Sequence, residues 1–214
     1  GRWPRTGGAV AGTAPMPRPA PASAPGYHVD AAREGDIAAV MELEAGGFHD
    51  GITESEEVFR ARLAAFPQGF MLLRYEGRVA GYLCCERWAD VRLGDPESFA
   101  LGHDPVPRYA PGGPVLYVAS MTVDARFRGA GLGAFLFREG RARVRSLAPG
   151  ISLEALLVNE EWTAARRIYE AEGFAVRGVL PGFFPARDGE PTAGLVMARG
   201  ALDGASSGRA SGPG

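Results

Sequence analysis

Between Val123 and Ala134 the chain reads Val-Asp-Ala-Arg-Phe-Arg-Gly-Ala-Gly-Leu-Gly-Ala. The apolar run Val115–Val123 stops there, and a basic turn carrying Gly129, Gly131 and Gly133 follows. Leu132, Phe135, Leu136, Val144 and Leu147 then recur on or near one stripe, as along a helix. A strand that passes through a glycine turn into a helix restricts the fold to α/β arrangements. It also restricts the chemistry. First-turn N–H groups of a helix have no partner within it, and with the helix dipole they form an anion site. Glycines let a pyrophosphate approach without a Cβ clash, and Arg128 adds positive charge. The competing reading is a tight turn that needs flexible residues and nothing more.

The remaining pattern agrees with an α/β chain. Tyr27–Ala32 reads as a strand, and Asp36 is placed to cap a helix over Ile37–Glu44. Ser55 is placed to cap a second helix, which stops before Pro67. Phe70–Tyr75 and Val79–Trp88, joined at Glu76-Gly77-Arg78, read as a hairpin. Residues 90–114 form a long polar connection, of the kind that is functional or mobile in a compact domain. After the glycine helix come a nearly continuous apolar strand, Ile151–Val158, and a helix over Trp162–Glu172 closed by Gly173. Phe174–Leu180 and Thr192–Arg199 complete the pattern as strands. The expected fold is a mixed central sheet of about seven strands flanked by about four helices, over residues 26–199. Residues 1–25 and 200–214, rich in Pro, Gly, Ala and Ser, are expected to be disordered.

Composition excludes several classes. With 46% hydrophobic residues, 214 residues can build a full core without a metal or disulfide staple. A net charge of −2 lacks the basic footprint of a nucleic-acid binder. No apolar run reaches the roughly 18–20 residues of a membrane span, and no secretory signal core is visible. Cys84 and Cys85 are adjacent and have no other cysteine to pair with, which suits a reducing, cytoplasmic setting. His28, His49 and His103 lack metal-ligand spacing, so no metal is expected.

Gly129-Ala-Gly131-Leu-Gly-Ala134 also fits the dinucleotide pattern G-x-G-x-x-G/A. Charged Asp124, Arg126 and Arg128 separate it from the strand, however, and too little chain follows for a doubly wound sheet. A Walker A loop fails, because no Gly-Lys-Ser/Thr follows.

Arg128-Gly-Ala-Gly131-Leu-Gly133 resembles the R/Q-x-x-G-x-G/A motif of the GNAT acetyltransferases, whose loop grips the pyrophosphate of coenzyme A. The resemblance extends to Ala165-x-x-Ile168-Tyr169-x-x-x-Gly173-Phe174, which is similar to that family's closing motif. It implies the GNAT fold, with acetyl-CoA as cosubstrate and an amine as acceptor. It assigns cofactor binding to Met121, Thr122 and Val123 through their backbone, and to Arg128, Gly129, Ala130, Gly131, Leu132, Gly133 and Ala134. Tyr169 is the implied general acid, beside the sulfur. Glu154, five residues before Asn159, shows the spacing of the base in ribosomal-protein alanine N-acetyltransferases; a structural salt bridge is the competing reading. Asn159 lies three residues earlier than the family's cofactor asparagine, whose position Trp162 takes, so Asn159 is expected either at the cofactor or in a turn. Most of Arg138, Arg141, Arg143 and Arg145 are expected on a solvated helix face.

Two acceptor classes compete. The ending from Arg177 through Asp188-Gly189 to Met197 is similar to protein N-terminal acetyltransferases, with Phe183 and Phe184 where those carry tyrosines. Glu97-Ser-Phe-Ala-Leu101-Gly-His103 resembles the arylalkylamine and polyamine acetyltransferases. The loss of two hydroxyls favours a small primary amine, held between the first helices and the 90–114 connection, near Glu54, Glu56 and Glu57. A non-catalytic acyl-CoA-binding module is the reading from another class. Monomer and homodimer both fit.

Overall fold

The computed structural model describes residues 26–48, 51–186 and 189–201. The expected disordered segment 1–25 lies outside them, as do residues 202–214 of the expected tail. Among the described residues, seven strands and four α-helices run β1 (Tyr27–Ala31), α1 (Ile37–Gly47), α2 (Glu56–Ala65), β2 (Phe70–Tyr75), β3 (Arg78–Trp88), β4 (Val115–Val123), α3 (Leu132–Leu147), β5 (Leu153–Asn159), α4 (Thr163–Ala171), β6 (Ala175–Phe184) and β7 (Thr192–Gly200). The strands form one sheet in the order β1-β2-β3-β4-β5-β7-β6. All pairings are antiparallel except β4 with β5. The α/β architecture and element order are those expected from the sequence.

Local signals explain most boundaries. Ser55 caps α2 through the Val58 N–H, and Pro67 follows its end. Glu76 and Gly77, both at positive φ, turn β2 into β3. Gly173, at φ 83°, closes α4 in the left-handed conformation that glycine adopts without strain. Asp36 departs from its expected role. Its carboxylate caps no helical N–H of α1; it accepts the Arg33 N–H and the Arg74 guanidinium instead. An ion pair to β2 outcompetes the cap.

Each face of the sheet carries a core. Ile37, Val40 and Leu43 of α1 and Phe59 and Leu63 of α2 pack on Phe70, Leu72, Tyr82 and Cys84. On the other face, Phe135, Leu136, Phe137 and Val144 of α3, with Tyr169 of α4, pack on Leu73, Leu83, Cys85, Leu116 and Val118. Both cysteines are buried free thiols.

The feature that creates a site is the β4–β5 pair. Parallel pairing runs only from Val115–Leu153 to Val118–Leu156. Opposite β3, the register of β4 shifts between Ser120 and Val118, which leaves Ala119 as an extra residue. A bulge of this kind bends and twists its strand. Beyond it, β4 continues to Val123 and β5 to Asn159 without pairing with each other, and the sheet opens into a V.

Candidate active site

The V opens into a cleft of about 680 Å³ that crosses the molecule. One end is the glycine turn. Gly131 sits at the N-cap of α3 with φ 76°, and Gly129 has φ 84°. No side chain caps α3, and its first i→i−4 bond is Phe135 N–H to the Gly131 carbonyl at 3.0 Å. The N–H groups of Leu132, Gly133 and Ala134 therefore have no partner within the helix. Arg128 is anchored by its Nε, which donates to the Val123 carbonyl at 3.2 Å. Arg128, Gly129, Gly131, Leu132, Gly133 and Ala134 all line the cleft, whereas Ala130 is exposed and does not. A cradle with positive-φ glycines, free helical N–H groups and one arginine fits a pyrophosphate.

Met121, Thr122 and Val123 of β4 line the middle of the cleft, opposite Leu156, Leu157 and Val158 of β5. The unpaired edges of both strands face the gap. Tyr169, on α4, closes this part. Its ring packs on Phe137 at 4.8 Å. Burial pushes its hydroxyl up to about 12, so it is a proton donor throughout the neutral range. No hydrogen bond to its hydroxyl occurs among the described residues, and its lining position leaves the group available to the cleft.

Glu154 and Asn159 are not brought to this place. Glu154 pairs with Leu116 where the sheet is still closed, beneath α3. Its Oε2 accepts from Arg141 Nε at 2.5 Å and its Oε1 from Arg145 Nη1 at 3.1 Å. The expected base is thus a buried ion-pair member, and its charge is held by arginines rather than offered to an amine. Arg141, expected among solvated arginines, is buried between Glu154 and the rings of Phe137 and Phe174. Asn159 is a turn residue: its Nδ2 donates to Thr192 Oγ1 at 2.7 Å and its Oδ1 accepts the Glu161 N–H at 2.9 Å. Trp162 lines the cleft in its stead.

The far end of the cleft is a chamber between the first helices and the 90–114 connection, the region the sequence singled out for an acceptor. Phe48, Ile52, Phe99, Leu101, Trp162 and Phe184 form apolar walls, over a floor of buried polar groups. Arg62 donates through Nη1 and Nη2 to Glu54 and through Nε to Glu86 at 2.7 Å. Glu86 also accepts from Trp88 Nε1, and His103 Nε2 lies 2.8 Å from it. Burial pushes the Glu86 carboxyl up, but the His103 hydrogen bond and the Arg62 charge outweigh burial and hold it below the usual range. Through His103, and through the Gly102 N–H to Glu54, this network ties the 90–114 connection over the chamber. Glu44 lies beside it on α1, with its Oε1 accepting the Glu54 N–H at 2.9 Å and its Oε2 the Tyr82 hydroxyl. Burial raises the Glu44 carboxyl more than these bonds lower it. Of the acidic run singled out earlier, only Glu54 faces the cleft; Glu56 pairs with Arg60. Arg62, Glu44 and Glu86 had one legible signal: each interrupts an otherwise apolar helix stripe or strand face.

The sequence matches the acetyltransferase (GNAT) family over residues 37–174, more than half of the chain. The chain belongs to the GNAT acetyltransferase family. No curated protein sequence matches it. Solved structures with the GNAT fold do. The loading GNATL domain of CurA from Lyngbya majuscula is 16% identical, with a TM-score of 0.66, over 81% of this chain and 97% of that one. The GphF GNAT-like decarboxylase in complex with isobutyryl-CoA is 20% identical, with a TM-score of 0.65, over 81% and 98%. The ribosomal-protein alanine N-acetyltransferase from Escherichia coli is 16% identical, with a TM-score of 0.61, over 84% and 97%. At these identities the likeness is one of fold. Within the GNAT fold, the glycine turn and the β4–β5 gap form one continuous cleft with the apolar chamber.

Proposed function

We infer that this GNAT protein is an N-acetyltransferase that moves an acetyl group from acetyl-CoA to a small primary amine with an apolar body. The observation that carries this reading is the single cleft, which joins the pyrophosphate cradle at Gly131 to the chamber walled by Phe48, Phe99, Trp162 and Phe184. In this reading Arg128 and the first-turn N–H groups of α3 hold the pyrophosphate. The open edge of Met121–Val123 binds the pantetheine arm through backbone groups, and the same amides polarise the thioester carbonyl. The thioester supplies an activated acyl carbon. The apolar chamber holds the body of the amine and excludes water, and Tyr169 donates a proton to the leaving sulfur. The chamber supports a small acceptor over a peptide. Phe184 presents a ring to the chamber where the N-terminal acetyltransferases that this ending resembles carry a tyrosine, so a hydroxyl that would hold a peptide backbone is missing.

Calorimetry with acetyl-CoA and, separately, NADH tests the cofactor. A free-thiol release assay over a panel of alkyl- and arylalkylamines and N-terminal peptides tests the acceptor. Acetyl-CoA alone is expected to bind, and thiol release is expected with amines. Turnover confined to peptides would move the protein to the N-terminal class. Tight acyl-CoA binding without any turnover would make it a binding module. Release of CO2 from a carboxyacyl-CoA with no acceptor present would replace transfer by decarboxylation.

A further inference from the structure

Resting on the amine reading above, the question left open is what removes the acceptor's proton once Glu154 is committed to Arg141 and Arg145. An alkylammonium, with a pKa of about 10, must lose a proton before its nitrogen can attack. Three side chains from three elements meet at the chamber floor. Glu44 on α1 accepts from the Tyr82 hydroxyl on β3, and the Tyr82 oxygen lies 2.8 Å from Ser120 Oγ on β4. Ser120 and Glu44 line the cleft, whereas Tyr82 is fully buried between them. Ser120 also sits directly after the bulged Ala119, where β4 leaves β5 and the thioester end of the gap begins.

The chemistry of the groups sets the direction of these bonds. An ionised carboxylate only accepts, so Tyr82 donates to Glu44. The Tyr82 oxygen is then free to accept the Ser120 hydroxyl proton. That leaves the Ser120 oxygen with lone pairs for a donor in the cleft. Every bond is polarised from Ser120 through Tyr82 toward Glu44, as a proton wire requires.

We propose that Ser120, Tyr82 and Glu44 form a relay that carries the ammonium proton of the acceptor to the Glu44 carboxylate. The docked ammonium gives one proton to Ser120 Oγ, the Ser120 proton passes to Tyr82, and the Tyr82 proton passes to Glu44 Oε2. The neutral nitrogen bonds to the thioester carbon, and the C–S bond breaks with its electron pair on sulfur. Tyr169 protonates the sulfur, and the second proton of the new amide nitrogen restores Tyr169. One proton per turnover leaves Glu44 for solvent. Tyr82, Glu54 with its N–H, and Arg62 of α2 face Glu44. Burial dominates over these neighbours and makes the carboxylate a stronger base than an exposed glutamate.

The test compares Ser120→Ala, Tyr82→Phe and Glu44→Gln with wild type at pH 7. It uses two acceptors: phenethylamine, which arrives as the ammonium, and trifluoroethylamine, a weak base already neutral at that pH. Acetyl-CoA affinity is measured alongside, by calorimetry. Ser120→Ala is expected to lower kcat/KM for phenethylamine by roughly 10²-fold. With trifluoroethylamine it should stay within a few-fold of wild type, with acetyl-CoA affinity unchanged. Tyr82→Phe combined with Ser120→Ala should add little to either alone, because one broken link stops the wire. Equal losses with both amines, or no loss with phenethylamine, would overturn the relay and leave the amine reading standing. Absence of wild-type turnover with every amine would overturn both. Ser120→Ala removes only a hydroxyl, so the test stands even where Glu44→Gln fails to fold.

Discussion

Arg141 Nε donates to Glu154 Oε2 at 2.5 Å, beneath α3 and on the closed side of the β4–β5 seam. The two side chains are each 4% exposed, and Arg145 supplies a second cation to the same carboxylate. Removing one member of a buried pair leaves the other uncompensated, at a cost of about 3–5 kcal/mol. Glu154→Gln is therefore expected to lower the unfolding free energy by a few kcal/mol in urea titration. In the protein that remains folded, kcat should change by less than about threefold. A catalytic base would show the reverse pattern.

Tyr169 faces the cleft with its hydroxyl pushed up to about 12 by burial. Tyr169→Phe is expected to lower kcat by roughly 10–100-fold with acetyl-CoA affinity unchanged. The same shift has a consequence for stability. The neutral phenol is favoured in the folded state, so its contribution is complete below the unfolded pKa of about 10 and is lost as pH rises toward 12. A thermal unfolding series from pH 9 to pH 12 should show a falling Tm, with a shallower fall in Tyr169→Phe. The loss attributable to this residue is at most about 3 kcal/mol.

Gly131, at φ 76°, has a conformation that costs a side chain roughly 1–2 kcal/mol, and it is the N-cap of α3, at the helix start where an anion is expected. Gly131→Glu adds a negative charge and is expected to abolish acetyl-CoA binding in calorimetry. Arg128→Ala, which leaves the turn's backbone intact, is expected to weaken that binding roughly tenfold, more at low salt than at high.

Phe48 packs against Trp162 with its ring tilted by 44° and the centroids 5.6 Å apart, at the chamber wall. Burial of an aromatic body against such a wall is worth about 1.5–3 kcal/mol. Phe48→Ala should raise KM for an arylalkylamine roughly tenfold or more, with the affinity for acetyl-CoA unchanged. A KM effect restricted to acetyl-CoA would place the acceptor elsewhere.

Features encoded by neighbours in sequence were readable. The β4–turn–α3 unit needs only an apolar run, glycines at the turn and a helical stripe, all within about thirty residues. Tyr169, which the resemblance of its motif to the family's closing motif singled out, does line the cleft. Glu154 stood between two readings, base or salt-bridge member, for a definite reason. A charged residue in a strand signals a paired or functional group, but which of the two depends on a partner thirteen residues away on another element. Asn159 had the right type for either role, and its contact with Thr192, 33 residues on, decided for the turn. The relay was hidden more deeply still, since Glu44, Tyr82 and Ser120 belong to three elements that only the fold brings together. Glu44 nevertheless left a trace: it lies four residues after Val40 on the apolar stripe of α1, where a carboxylate is costly unless engaged.

Among the described residues, the four residue pairs that join β4 to β5 are the only backbone ladder between the two halves of the sheet. Strands β1 to β4 make one ribbon and β5 to β7 another, and beyond Val118 and Leu156 they are held apart. A molecule lying in that gap touches both ribbons at once. Its occupancy therefore acts on the whole domain as a clasp acts on two leaves, and the heat resistance of the protein becomes a gauge of how well the clasp fits.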